Sequence, residues 1–235
     1  EASATAIKEL VIASDAAKDL TNDDLTKLAK LGFIDEKTEV INLEKCNQIT
    51  DLKPLERCSA LTSLDLSYCE QITDQILSTL PVLPALTNLN FWGCKQITNL
   101  SPLINYKTLE NLNRTDCNKI TNQILSTLPV SLELTSLDLG GCNKITDLSP
   151  LASCTALTSL NLEECNQITD LWPLASCTAL TSLNLERCDQ ITDLSPLTSC
   201  TAITNLNLWG CSLISNLSPL ASCTALTNIN LMECN

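Results

Sequence analysis

The chain has 235 residues, enough for one or two ordinary domains or for one solenoid that lengthens by adding units. Leu, Thr, Asn, Ser and Cys dominate, only 3% of residues are aromatic, and there is no histidine, which removes any Ser–His–Asp or Cys–His pair. Twenty-seven acids against 14 bases give a net charge of −13, a field that repels a phosphate backbone and attracts a basic protein. Residues 1–37 hold eight acids and five bases (−3), which leaves −10 on the remainder. No apolar run approaches the roughly 20 residues that span a bilayer, so membrane insertion is not expected. The chain does not begin with Met, which reads as processing or trimming.

Residues 1–37 lack the periodicity that follows. Residues 6–20 and 23–30 both show helical apolar spacing, Thr21 and Asp24 are placed as a capping box, and Gly32 falls just past the end. This predicts an N-terminal helical cap that shields the first unit of a stack.

From residue 38 to 235 the phrase L-x-x-L-x-L-x-x-C-x-x-I-T recurs. It begins at Leu61, Leu86, Leu109, Leu134, Leu157, Leu180 and Ile203, with a degenerate copy at Thr38 and a partial one at Leu226. That makes eight full units and a stub, spaced by 23 residues, or 25 in the units from Leu61 and Leu109. Within a unit, Leu183 and Leu185 alternate with polar neighbours, as on one face of a strand. The stretch Asp193, Leu194, Ser195, Pro196, Leu197 reads as a turn entering a short helical or 3-10 segment, with Ser as N-cap and Pro at the first position. The longer units have room for a fuller helical turn at residues 75–80 and 123–128. One such unit cannot bury its leucines alone. Stacked in parallel, the units form an α/β solenoid, an arc with a parallel sheet on the concave side and short helical or 3-10 segments on the convex side.

Nine of the 14 cysteines occupy the ninth position, from Cys46 to Cys234, and Cys58, Cys154, Cys177, Cys200 and Cys223 each follow a ladder cysteine by twelve residues. Both sets recur at the repeat period, so they read as packing columns whose thiols donate weakly to neighbouring carbonyls. The place of Tyr106 in the second column supports packing. No C-x-x-C spacing gathers a zinc site, and no metal or cofactor is expected. So many thiols point to a reducing compartment, the cytoplasm of the producing cell or of a host.

The fifth position is always Asn or Asp, from Asn42 to Asn230, and reads as a uniform surface ladder. The seventh and eighth positions vary, which marks where a partner is read. The candidate partner-binding residues are Glu44, Tyr68, Trp92, Asp116, Glu163, Glu164, Glu186, Arg187, Trp209 and Met232. The two tryptophans are candidate anchors, and the glutamates between them suit Lys or Arg. Arg114 stands at the sixth, inward position, where a buried charge is costly; it is expected to snorkel out or to pair with Asp116 or Asp138. Trp172 marks a weaker second surface on the return side.

The pattern resembles the leucine-rich-repeat superfamily over residues 38–235. The run Cys165, Asn166, Gln167, Ile168, Thr169, Asp170 is similar to the cysteine-containing repeats of F-box ubiquitin-ligase subunits. The run Asp147, Leu148, Ser149, Pro150, Leu151 is similar to the repeats of bacterial internalins. The resemblance implies a non-enzymatic module that binds another protein, in the manner of a bacterial effector or adaptor. The alternatives are a substrate-receptor subunit of a ubiquitin ligase, an acidic inhibitor of a basic enzyme, and a structural spacer. The last unit carries no visible cap. It reads as a cut inside a longer protein, with end-to-end self-association through that repeat as the alternative.

Overall fold

The computed structural model describes residues 8–11, 19–115, 121–129 and 132–234. In each unit from Leu61 on, the apolar fourth position lies between polar third and fifth positions, and this alternation makes a strand of three residues; the first unit, with Val40 at its third position, has a strand of five. The strands are β1 (Lys8–Val11), β2 (Thr38–Asn42), β3 (Ser63–Asp65), β4 (Asn88–Asn90), β5 (Asn111–Asn113), β6 (Ser136–Asp138), β7 (Ser159–Asn161), β8 (Ser182–Asn184), β9 (Asn205–Asn207) and β10 (Asn228–Asn230). They pair in sequence order as one ten-stranded, all-parallel sheet, the inner face of a solenoid arc. From β2 to β10 register is strict, with like position opposite like, as in Leu137 to Leu160 to Leu183, whereas the β1–β2 pair shifts register between Lys8 and Glu9.

The fifth position explains why the strands are so short. In all nine units its side-chain Oδ1 accepts the backbone N–H of the seventh residue, at 2.8 to 3.1 Å. This Asx turn ends the extended conformation and sends the chain across the column. Beneath the sheet, the central leucines Leu64, Leu89, Leu112, Leu137, Leu160, Leu183 and Leu206 are at most 2% exposed. Each buried leucine contributes about 1.5–3 kcal/mol.

The 23-residue units return through 3-10 segments at Lys53–Arg57, Ser101–Asn105, Ser149–Ser153, Trp172–Ser176, Ser195–Ser199 and Ser218–Ser222, each with Pro in its first turn. The expected Ser N-cap is not used. The N-cap is Leu, and the Asp or Asn just before it accepts the N–H of the first residue, as in Asp193 to Ser195 at 2.8 Å. A second Asx turn does the work assigned to Ser. In the 25-residue units the return is α-helical, in α2 (Asp74–Ser78) and α3 (Asn122–Ser126). Here the same Asx position reaches the next unit instead. Asp74 accepts from Thr98 N at 2.6 Å and Asn99 N at 3.0 Å, and Asn122 from Thr146 N at 2.8 Å and Asp147 N at 3.0 Å.

The N-terminal region uses the same link. Its helix α1 (Asn22–Lys30) starts at the predicted capping box of Thr21 and Asp24 and is followed by Gly32 at φ +77°. Asn22 accepts from Thr50 N at 2.8 Å and Asp51 N at 3.1 Å. Residues 8–11, expected within a helix over 6–20, are instead strand β1, parallel to β2 with Leu10 opposite Ile41. The open edge of β2 offers a row of backbone donors and acceptors, and pairing with it outweighs the local helical spacing. This end is therefore a degenerate strand-and-helix unit added to the stack. The remainder of 6–20, apart from residues 19 and 20, lies outside the described residues.

The thirteen described cysteines form no disulfide with one another, and all are buried except the half-buried Cys234. Ladder thiols donate to the sixth-position carbonyl of the preceding unit, as from Cys69 to Leu43 at 3.0 Å and from Cys188 to Leu162 at 3.1 Å. The second column repeats this, with Cys200 donating to Leu174 at 3.3 Å. Tyr106 completes that column, its hydroxyl 2.8 Å from the Pro81 carbonyl. Burial pushes Cys58 and Cys177 up to about 11 and Cys165 up to about 12, so little thiolate forms near neutrality. A thiol reagent applied at pH 8 is accordingly expected to label Cys234 first among the described cysteines. The buried columns become labelled only when denaturant unfolds the chain, and rapid labelling of Cys165 or Cys188 in the native protein would contradict this packing.

Arg114 neither snorkels nor pairs with Asp138. It is 1% exposed, and its guanidinium donates to Cys94 O at 2.7 Å and to Ile97 O. Its Nε has no partner among the described residues. The carbonyls at the turn of the preceding unit lie within reach of a sixth-position side chain, whereas acids on the strand face lie on the other side of the sheet. The other expected partner, Asp116, lies outside the described residues.

Candidate partner-binding face

After the Asx turn the chain must bend sharply inward to place the ninth-position cysteine in the column. Every described eighth residue makes that bend in the left-handed region: Lys45 at φ 63°, Tyr68 at 57°, Gly93 at 70°, Gly141 at 71°, Glu164 at 58°, Arg187 at 56°, Gly210 at 75° and Glu233 at 58°. For a residue with a Cβ this costs about 1–2 kcal/mol, so the glycines there relieve strain and the other side chains are displayed against it. At Gly93 there is also no room, because a Cβ would lie 2.7 Å from Tyr68 Cδ1. The eighth-position amides continue the ladder into the next unit, as Lys45 to Ser67 O at 2.8 Å and Glu164 to Glu186 O at 2.8 Å. Seventh and eighth side chains are thus carried on a backbone fixed by hydrogen bonds in two directions.

Two clusters form along this edge. In the first, the rings of Tyr68 and the exposed Trp92 lie 4.9 Å apart at 47°, Lys45 Nζ sits 5.6 Å from the Tyr68 ring centre, and Glu44 binds the same ammonium at 2.6 Å. The Glu44 carboxylate holds Lys45 above the usual lysine range. In the second, the Arg187 guanidinium lies 5.4 Å from the centre of the Trp209 ring and 3.5 Å from Glu164. Such cation–aromatic contacts depend on stacking across units, and Lys45 was not singled out from the sequence. The signal that could have found it is its place in the eighth row beside a neighbour's aromatic residue.

The other expected site residues divide. Glu163 and Glu186 are partly buried, with Asn184 Nδ2 donating to Glu163 at 3.4 Å and Asn207 Nδ2 to Glu186 at 3.0 Å. Burial raises Glu163 above the usual carboxylate range, and the nearby charges of Glu186, Glu164 and Asp138 add to it. Met232, 66% exposed, stands beyond the second cluster in the last unit. Asp116 is outside the described residues. Trp172 is 59% exposed on the return side, away from both clusters. Across the strand face run shallow troughs, one of about 630 Å³ over β8–β10 lined by Asn184, Asn205, Asn207, Thr227 and Asn230 among others.

Among the described residues no group of three or more His, Cys, Asp or Glu is placed to hold a metal ion. No helix among them is long and apolar enough to cross a membrane.

Models of leucine-rich repeats match residues 133–176 and 157–199, each as two copies, and a single-repeat model matches residues 57–80. Internalin C2 of Listeria monocytogenes is similar at 25% identity, covering 92% of this chain and 90% of that one, with a TM-score of 0.57. InlJ of the same organism, whose functional domain includes a cysteine ladder, is 20% identical over 97% of this chain and 58% of that one, with a TM-score of 0.53. A chain of the yeast Rad7–Elc1 complex is 21% identical over 80% of this chain and 53% of that one, with a TM-score of 0.54. No curated protein sequence matches the chain. The fold and these matches make the chain a leucine-rich-repeat protein, a class that generally binds other proteins and does not catalyse reactions.

Proposed function

We propose that this protein is a non-enzymatic recognition module that binds a basic partner protein along the concave strand face. The carrying observation is the contrast between a backbone repeated unit after unit and side chains that change at its seventh and eighth positions. Tyr68, Trp92, Arg187 and Trp209 supply large contact groups of the kind that anchor interfaces. Glu44, Glu163, Glu164, Glu186 and Met232 complete the row, and Asp116 is assigned to the same surface from its sequence position alone. The acidic balance disfavours nucleic acid as the occupant. The internalin-type turns and the likeness to internalin C2 support an effector or adaptor of bacterial type over a ubiquitin-ligase receptor. Thirteen cysteines with no disulfide among the described residues support a reducing compartment.

The test is affinity capture from the source cell, and from a host cell, with wild type and a Trp92→Ala/Trp209→Ala variant of matched circular dichroism. A protein retained by wild type and lost by the variant is the expected result. Equal capture by both would move the site to the return side around Trp172 or to the ends. No specific capture by either would sink the reading in favour of a spacer.

A further inference from the structure

Along the seventh and eighth rows this chain satisfies two of its own carboxylates in one manner. Glu44 holds Lys45, whose ammonium also lies over Tyr68, and Glu164 holds Arg187, whose guanidinium also lies over Trp209. In each case a cation is shared between a carboxylate and an aromatic ring. Glu163 and Glu186, side by side in the seventh row, have no such cation among the described residues. Their partners are the neutral amides of Asn184 and Asn207. Asp138 crowds Glu163 with further negative charge from the preceding units.

The wider field has the same sign. Residues 132–235 contain ten acids and two bases, a balance of −8 out of the chain's −13, and one of those bases is the already paired Arg187. Asn184 and Asn207, which hold the two carboxylates, also line the trough over β8–β10. The two carboxylates are therefore held by residues that line this trough, and Trp209 stands in the same seventh row as the glutamates.

Building on the protein-binding reading above, we infer that Glu163 and Glu186 seat a Lys or Arg side chain from an extended basic segment of the partner. That segment lies across β7–β10, with Trp209 packing against it. The incoming cation takes the role that Lys45 and Arg187 play for their own neighbours, and its charge relieves the repulsion among Glu163, Glu186 and Asp138. An anionic occupant such as RNA would instead add to that repulsion.

The probe is a fluorescein-labelled peptide of alternating Arg and Ser, titrated into the intact protein and followed by anisotropy. Glu163→Gln/Glu186→Gln is compared with Asp189→Asn/Asp193→Asn, which removes equal charge from the return side. The first pair is expected to weaken binding about tenfold, because it removes the seat itself. The second is expected to weaken it about twofold or less, because it removes only screened charge. Both variants are checked by circular dichroism, and the Glu163 carboxyl titration, read by NMR, is expected to fall when peptide saturates the wild type. Failure of wild type to bind the probe, or equal losses in the two variants, would overturn the inference. Tryptophan-dependent capture of a partner alongside either of those results would leave the protein-binding reading standing and remove only this one.

Discussion

Arg114→Leu is expected to stabilise the protein by about 1–4 kcal/mol, while Arg114→Ala destabilises it by about 2–4 kcal/mol. The guanidinium is 1% exposed and touches no acid among the described residues; Cys94 O and Ile97 O take two of its groups, and Nε has no acceptor among those residues. Carbonyl contacts return only part of the solvation lost when a cation leaves water. Leu is the residue that most other units place at this position, as Leu139 and Leu162, both at most 1% exposed. It would fill the column without that penalty, whereas Ala would remove the charge but leave a cavity. Urea unfolding of the three proteins decides the matter. A loss of stability on Arg114→Leu would show that the guanidinium organises the turn around Cys94 and Ile97 more than it costs.

Leu160→Ala is the second large effect, a loss of about 2–5 kcal/mol. Leu160 is 1% exposed and stands mid-stack between Leu137 and Leu183, so no free end is near to close over the cavity. The comparison is Ile229→Ala in β10, where the equivalent side chain is 41% exposed and already loses part of its packing. A midpoint shift for Ile229→Ala as large as that for Leu160→Ala would contradict the packing argument.

Most of this architecture could be read before any coordinates, because a repeat states its constraints many times. The strands, the two thiol columns and the longer returns followed from spacing alone. Residues 8–11 did not, since four residues cannot separate a helical from an extended period, and the deciding contact was the edge of β2, far along the chain. Ser195 looked like a cap because its type suits one; the nearby Asp193 reached the amide first. Arg114 was misjudged because the available acceptors were backbone carbonyls, which no residue type announces. The ten candidate site residues were chosen for variability. Their grouping around Lys45, Tyr68 and Trp92 and around Glu164, Arg187 and Trp209 needed distances between units.

The left-handed eighth position has a consequence for how such a protein can change. Since the bend is made by the backbone whatever side chain is present, a substitution there alters the chemistry displayed while leaving its coordinates nearly fixed, except at Gly93, where Tyr68 leaves no room for a side chain. Lys45, Tyr68, Glu164, Arg187 and Glu233 already occupy equivalent sites at nearly one φ. The edge of the sheet is thus an addressable array, in which selection can rewrite one pixel without redrawing the screen. New specificity would then arise by exchange at single sites or by duplicating whole units, with the stack beneath left undisturbed.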